Sequence, residues 1–166
     1  MNIDDLAKLM AGREASPYQS DYFSRVDATY ECYLENFTLG QNRRLEDKIV
    51  FEFAVAGNCG ATGANPKGSS TKIIYSVQEY DIDKAKRHLA GILHVPLSDL
   101  QAETGEKLIR EALEPREETD GKSILSGTPV TVTVTMQNTA QREAEGKPSF
   151  QRYSMVAGHA AEEAPF

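Results

Sequence analysis

The sequence contains no tryptophan, only two cysteines and only three histidines among its 166 residues. Cys32 and Cys59 are too few for a disulfide framework or a cysteine-rich zinc site, which favours a reducing, cytoplasmic setting. The histidines match no metal-ligand spacing and no nucleophile motif; they are His88, His94 and His159. We therefore expect a protein that is not an enzyme and that uses no cofactor or metal.

Long apolar runs and an excess of basic residues are also missing. No apolar run approaches the roughly 18 residues that a membrane crossing needs, and residues 1–5 lack the basic start of a signal peptide, so we expect no membrane partner. Lys and Arg number 18 against 25 Asp and Glu, which gives a formal net charge of −7. Such a balance argues against coating nucleic acid by bulk positive charge, so any nucleic-acid contact must depend on local clusters.

Five strand-like stretches dominate the sequence, in a chain whose length suggests one folded core. Residues 48–56 place Ile49, Phe51, Phe53 and Val55 on alternate positions, which predicts a strand with one buried face. A similar alternation of apolar and polar side chains marks residues 28–34, 71–78 and 129–136, and a weaker one marks residues 150–156. A change of phase at Asn36 predicts a bulge or bend in the first strand.

Helical patterns lie before the first strand and between the third and fourth. Asp81 can cap a helix with a basic face and an apolar face, the latter formed by Ile82, Ala85, Leu89, Ile92 and Leu93. A second helical stretch follows around residues 108–113. Near the N-terminus, an amphipathic helix around Ile3, Leu6, Leu9 and Met10 is either a lid on the sheet or a docking helix for another subunit.

The predicted domains are an N-terminal helix and linker (1–26), a folded domain (27–157) and a flexible acidic tail (158–166).

A long glycine-rich loop occupies residues 57–70, between the second and third strands. Its Lys67-Gly-Ser-Ser run leads into a strand, whereas a nucleotide-binding loop must lead into a helix N-terminus, so we reject nucleotide triphosphate binding. Two interpretations stay open: a flexible finger that closes over an extended ligand, and a solvated hairpin tip.

The order of three strands, helices and two more strands predicts an α+β fold, mainly β, in which a five-stranded OB-fold barrel carries a helical insertion between strands 3 and 4. Four stretches resemble phage single-stranded DNA-binding proteins of OB-fold type: Ala28-Thr-Tyr-Glu-Cys-Tyr-Leu, residues 48–57, His88-Leu-Ala-Gly-Ile-Leu and Leu125-Ser-Gly-Thr-Pro-Val-Thr-Val-Thr-Val. The resemblance covers residues 28–156. It implies a protein that coats and protects single strands during bacteriophage DNA replication, recombination or repair in the host cytoplasm, with a homo-oligomer as one option.

The chain ends Ala161-Glu-Glu-Ala-Pro-Phe166, which is similar to the acidic tip of bacterial single-stranded DNA-binding proteins. That resemblance implies that the tail recruits replication or repair proteins through Glu162, Glu163, Pro165 and Phe166. In physical terms, the terminal ring fills an apolar pocket while the carboxylates meet basic groups on its rim. A plain polar terminus is the alternative.

Single-stranded nucleic acid is held by exposed aromatic rings that stack on bases and by cations along the backbone. The stacking candidates are Tyr33, Phe37, Tyr80 and Tyr153, and the basic candidates are Arg43, Arg44, Lys48, Lys67, Lys72 and Arg152. With the acidic stretch 99–120, they predict an electrostatically two-faced molecule. The alternative is a virion or assembly protein that uses an OB-like barrel for protein–protein contact. Convergence of aromatic and basic residues in one groove favours the first.

Overall fold

The computed structural model describes residues 2–5, 7, 22–57 and 59–158. From residue 22 onwards it contains five strands: β1 (Ala28–Gln41), β2 (Asp47–Val55), β3 (Ser70–Ser76), β4 (Thr128–Gln137) and β5 (Phe150–Ala157). The α-helices of the same part are α1 (Glu79–Leu93), α2 (Ala102–Leu113) and α3 (Ala140–Ala144), and two short 3-10 helices span Leu97–Leu100 and Glu117–Thr119. The α+β class, the five strands and the helical insertion after β3 are therefore confirmed.

The strands form one antiparallel sheet in the order β3-β2-β1-β4-β5. β1 lies at the centre, and β3 and β5 form the two edges. Among the described residues no ladder of hydrogen bonds joins these edges, so the sheet is open and is not closed into a barrel, and the OB-fold stays a prediction. Closure requires a continuous ladder between the first and last strands of the sheet, and here other elements cover the edges instead.

Helix α1 covers one part of the opening, because it packs against both β3 and β5. The helix comes closest to β5 at Gly91, where a Cβ atom would lie 2.0 Å from the carbonyl oxygen of Met155. No side chain fits at that distance, so glycine is required for the helix to lie against the strand. This close approach fixes the position of α1 relative to the edge of the sheet.

The segment just before β1 covers another part of the opening. Phe23 is 3% exposed, and its ring centroid lies 5.0 Å from that of Tyr30 and 6.2 Å from that of Tyr153. The backbone of Tyr22 bridges to Lys72 in β3, while the side-chain amide of Gln151 in β5 donates to the carbonyl of Phe23 at 3.1 Å. The segment thus reaches from one edge strand to the other, and Phe23 belongs to the packed core.

The glycine-rich loop is fixed to the core by one buried side chain, Asn65. Its Oδ1 accepts hydrogen bonds from the Ser24 backbone N–H at 2.8 Å and from the Tyr30 hydroxyl at 3.0 Å. The Asn65 backbone N–H donates in turn to the Tyr30 hydroxyl oxygen at 3.1 Å. At Asn65 the loop is therefore neither a flexible finger nor a solvated tip, the two interpretations that the sequence left open.

The predicted bulge in the first strand is confirmed, because the register of β1 on β2 shifts between Leu34 and Asn36. The shift turns Phe37 towards the core, where it is 4% exposed and its ring stacks on that of Phe51 at 4.8 Å. The prediction that Phe37 faces solvent and stacks on a base is therefore wrong. The extra residue in the bulge moves every later side chain of the strand to the opposite face of the sheet.

The N-terminal helical pattern lies mostly outside the described residues. Ile3 is in a helical turn and is 85% exposed. Leu6, Leu9 and Met10 are not among the described positions, so the choice between a lid and a docking helix stays a prediction.

We predict that Phe23→Ala lowers the free energy of unfolding by about 3–5 kcal/mol, because the ring fills the interior between the two sheet edges. Denaturant unfolding followed by circular dichroism measures the change. The matched control is Val77→Ala, since Val77 is half exposed and its truncation should cost about 0.5 kcal/mol or less. Equal losses in the two variants would show that Phe23 does not hold the edges together.

Candidate nucleic-acid interface

A cleft of about 510 Å³ lies between α1, the end of β3 and the edge strand β5. Its lining combines three tyrosines, three cations and one carboxylate; these are Tyr75, Tyr80, Tyr153, Lys84, Arg87, Arg152 and Asp83. Aromatic and basic side chains therefore converge in one groove, on the part of the sheet that strand pairing leaves open.

Helix periodicity explains how α1 supplies its part of the lining. Tyr80, Lys84 and Arg87 are spaced i, i+4 and i+7, which places them on one face of the helix. Ile82 and Leu89 lie on the other face, where they line a small apolar cavity with residues of β1, β2 and α2. The same helix thus completes the core on one face and forms the cleft on the other.

The cations of the cleft have no carboxylate partner in the described part of the chain. None of Lys84, Arg87 and Arg152 lies within 4.0 Å of an acidic oxygen there. Lys84 places its Nζ atom 4.3 Å from the ring centroid of Tyr80, a cation–π contact that leaves Tyr80 65% exposed. The arrangement offers an exposed ring and three positive charges to a ligand that carries both π-faces and phosphates.

Beneath the cleft, the hydroxyl of Tyr75 and Nε2 of His88 form a hydrogen bond of 2.6 Å. Burial lowers the pKa of His88 to about 4, and the nearby Lys84 charge adds to the effect. Burial also raises the pKa of Tyr75, with smaller contributions from Tyr153 and Asp81. Both groups are therefore neutral at pH 7, and we assign the phenol as donor to an unprotonated Nε2.

Burial acts in the same direction on Tyr153, whose pKa it raises while the charge of Arg25 opposes it. The ring of Tyr153 packs against the core cluster and is half-buried. Tyr153 therefore forms a fixed wall of the cleft, whereas Tyr80 projects into solvent.

The structure brings three of the predicted binding residues together in the cleft: Tyr80, Arg152 and Tyr153. Sequence reasoning did not select Lys84 and Arg87, although it placed them on the basic face of the helix. The sequence signal for their position in the cleft was their spacing from Tyr80. Lys84 and Arg87 follow Tyr80 by four and seven residues, so all three side chains lie on one face of the helix.

Other predicted residues lie on the face of the sheet that points away from the core. Tyr33 is half-buried there, opposite Ala54 on β2 and Pro129 on β4. Lys72 lies opposite Glu52 on β2, and its Nζ atom is 5.6 Å from the ring centroid of Tyr22. Neither Tyr33 nor Lys72 lines the cleft.

The remaining basic candidates are spread over two connections and one strand end. Arg43 and Arg44 are exposed in the turn between β1 and β2, and Lys67 is exposed in the glycine-rich loop. Lys48 donates a hydrogen bond of 3.0 Å to the Ser76 hydroxyl. These four residues do not join the cleft lining either. Glu162, Glu163, Pro165 and Phe166 lie outside the described residues, so the recruiting tail stays a prediction.

The acidic stretch 99–120 forms α2 and the two flanking 3-10 helices. Helix α2 packs against β1 and, through Ile109 and Leu113, lines the apolar cavity on the far side of α1 from the cleft. Helix α1 therefore lies between the acidic helix α2 and the three cations of the cleft. The predicted two-faced distribution of charge relied mainly on cations of the first three strands, which do not join the cleft, and it stays a prediction.

Comparison with known proteins gives no assignment, since no protein-family model and no curated protein matches the chain. Within the described ranges, no helix has the length and apolar character that crossing a membrane demands. The same residues contain no group of three or more His, Cys, Asp or Glu side chains placed to hold a metal ion.

We predict that His88 makes stability depend on pH. Its folded pKa of about 4 lies below the unfolded value of 6.5, so the unfolded state binds the extra proton first as the pH falls. The free energy of unfolding should drop between pH 6.5 and 4 by about 3 kcal/mol more in the wild type than in His88→Gln, which cannot titrate. Urea unfolding at several pH values measures this. Parallel pH profiles for the two proteins would contradict the assignment.

Proposed function

We propose that the protein binds single-stranded DNA and that the cleft between α1 and β5 is a main contact site. The observation that carries the proposal is the convergence of Tyr80, Lys84, Arg87 and Arg152 in one groove without acidic partners among the described residues. Stacking on a base uses a face that every base has, so the binding is largely independent of sequence. Duplex DNA keeps its bases stacked on one another, so the ring of Tyr80 selects single strands.

The cleft also explains how a chain of net charge −7 binds a polyanion. Affinity for a single strand depends on the phosphates that are neutralised locally, with a salt slope of about −0.7 for each. Lys84, Arg87 and Arg152 would together give a slope of about −2. Separation of the acidic helix α2 from the cleft by α1 reduces the repulsion that the phosphates experience.

The architecture supports an OB-type assignment within this proposal. OB-folds are five-stranded, partly open Greek-key barrels that bind oligonucleotides on an exposed part of the sheet. In this chain, the opening between β3 and β5 would be the partly open side. Together with the resemblance to phage single-stranded DNA-binding proteins, this supports a protein that coats and protects single strands during replication, recombination or repair and recruits partners through its C-terminal residues.

A role as a virion or assembly protein is the second candidate, and one observation favours it. An apolar groove of about 770 Å³ runs between β1 and α2, lined in part by Leu39, Ile109 and Leu113. Leu39 is 56% exposed beside it. Exposed apolar grooves of this kind suit protein partners. The groove also carries two carboxylates, Glu106 and Glu114, against one cation, Arg110, which is paired with Glu106, so it offers little to a polyanion.

The proposal predicts that labelled oligothymidine binds the wild-type protein more tightly than a duplex of equal length, with affinity falling as salt rises. Fluorescence anisotropy measures both. Arg87→Gln combined with Arg152→Gln should lower the salt slope by about 1.4, because two phosphate contacts are lost. The control is Arg43→Gln with Arg44→Gln, the same charge change outside the cleft. An equal effect of both pairs would place the DNA elsewhere, and no binding of single strands at low salt would refute the proposal.

We further predict that Tyr80→Ala weakens binding to single strands by about 1–3 kcal/mol, the contribution of stacking on one base. Tyr33→Ala is the matched control, since this tyrosine lies on the outer face of the sheet. Thermal unfolding of both variants separates loss of contact from loss of fold. A stronger effect at Tyr33 than at Tyr80 would shift the interface to the outer face.

A further inference from the structure

Phe150, at the start of β5, has two guanidinium groups over its ring. The Cζ atoms of Arg142 and Arg152 each lie 5.6 Å from the ring centroid. Arg142 comes from α3 in the connection between β4 and β5, so two different elements bring their cations to one aromatic ring. Neither arginine has a carboxylate oxygen within 4.0 Å in the part of the chain that the structure describes.

Hydrogen bonds to the connection hold Arg142 in place. Its Nε donates to Oδ1 of Asn138 at 3.2 Å, and a terminal nitrogen donates to the carbonyl of Pro148 at 2.9 Å. Thr139 caps α3 by accepting from the Arg142 backbone N–H at 3.1 Å. A guanidinium has five N–H donors, so a fixed group with two of them engaged retains donors for a phosphate at small entropic cost.

Arg152 joins this cluster to the cleft, because it both lines the cleft and lies over Phe150. Phe150 and Arg152 share one face of β5, two residues apart. Phe150 is about 10 Å along the strand from Tyr153 in the cleft wall, so one nucleotide held in the cleft does not also stack on Phe150. Arg25 adds a further cation nearby, where it donates to the carbonyl of Ser149.

We propose that β5 carries a second nucleotide-binding subsite, in which a base stacks on Phe150 and the adjoining phosphates bind Arg142 and Arg152. The inference rests on the proposed function, since it extends the path of the strand out of the cleft and along the edge of the sheet. The DNA then follows β5 from α1 to the connection that carries α3, and Arg152 contacts both nucleotides.

Oligonucleotide length separates the two subsites. We expect Phe150→Leu, which removes the ring but keeps an apolar side chain, to lower affinity for an oligothymidine of about 12 nucleotides by about 5- to 150-fold. The same variant should leave affinity for an oligothymidine of about 4 nucleotides unchanged, because the cleft alone holds that strand. Tyr80→Ala should weaken both. Val156→Ala, on the same face of the same strand, is the matched control and should change neither.

A charge variant tests the phosphate contact independently of the ring. Arg142→Gln should reduce the salt slope for the longer oligonucleotide by about 0.7, whereas Arg110→Gln, on the exposed surface of α2, should leave the slope unchanged. Thermal unfolding of each variant accompanies the titrations.

Three outcomes would overturn the second subsite. If Phe150→Leu leaves the longer oligonucleotide unaffected while Tyr80→Ala weakens it, the cleft binds DNA and the path does not follow β5. If Phe150→Leu weakens both lengths equally and lowers the melting temperature, the ring only supports the connection between β4 and β5. If the wild-type protein binds neither oligonucleotide at low salt, the proposed function itself fails.

Discussion

The separation of the two edge strands is the constraint on which the rest of the structure depends. A sheet whose edges do not pair leaves apolar side chains and backbone polar groups to be covered by something other than a strand. Phe23 and its neighbours cover one part of the gap and α1 covers another, with Gly91 allowing the helix to lie against Met155. The cleft is the part of the same gap that neither element fills, so the candidate site follows from how the core is closed.

Helix α1 also decides how charge is distributed. Its apolar face lies towards β1 and α2, and its basic face borders the cleft. An acidic protein can present a cationic groove only if local carboxylates lie elsewhere, because over distances shorter than about 10 Å salt does little to screen them. The single helix meets that condition in large part, since the acidic helix α2 packs on the side away from Arg87 and Arg152 and Asp83 is the one carboxylate among the described residues that line the cleft.

Sequence periodicity was sufficient for the strands, the bulge near Asn36 and the apolar face of α1, because each depends on neighbours along the chain. It could not decide how far the sheet closes into the predicted OB-fold barrel, since the pairing of edge strands is not encoded in either strand alone. The role of Asn65 was not predictable either, as its partners lie in segments more than 30 residues away. Phe37 was misplaced although the bulge was foreseen, because the change of face was not carried through to that residue. The position of Lys84 and Arg87 in the cleft had a readable signal in their spacing from Tyr80, but most basic helix faces are ordinary solvent-exposed surface.

The central position of β1 has a consequence for how the chain folds. β1 pairs on one side with β2, its neighbour in sequence, and on the other with β4, where Thr29 and Thr133 are 104 residues apart. The meander β1-β2-β3 closes small loops and gains its contacts early, whereas the β1–β4 ladder pays the entropy of closing a long one. During synthesis β1 is therefore complete long before its second partner emerges. Until then the strand that becomes the middle of the sheet is an edge, open to pairing with the wrong chain.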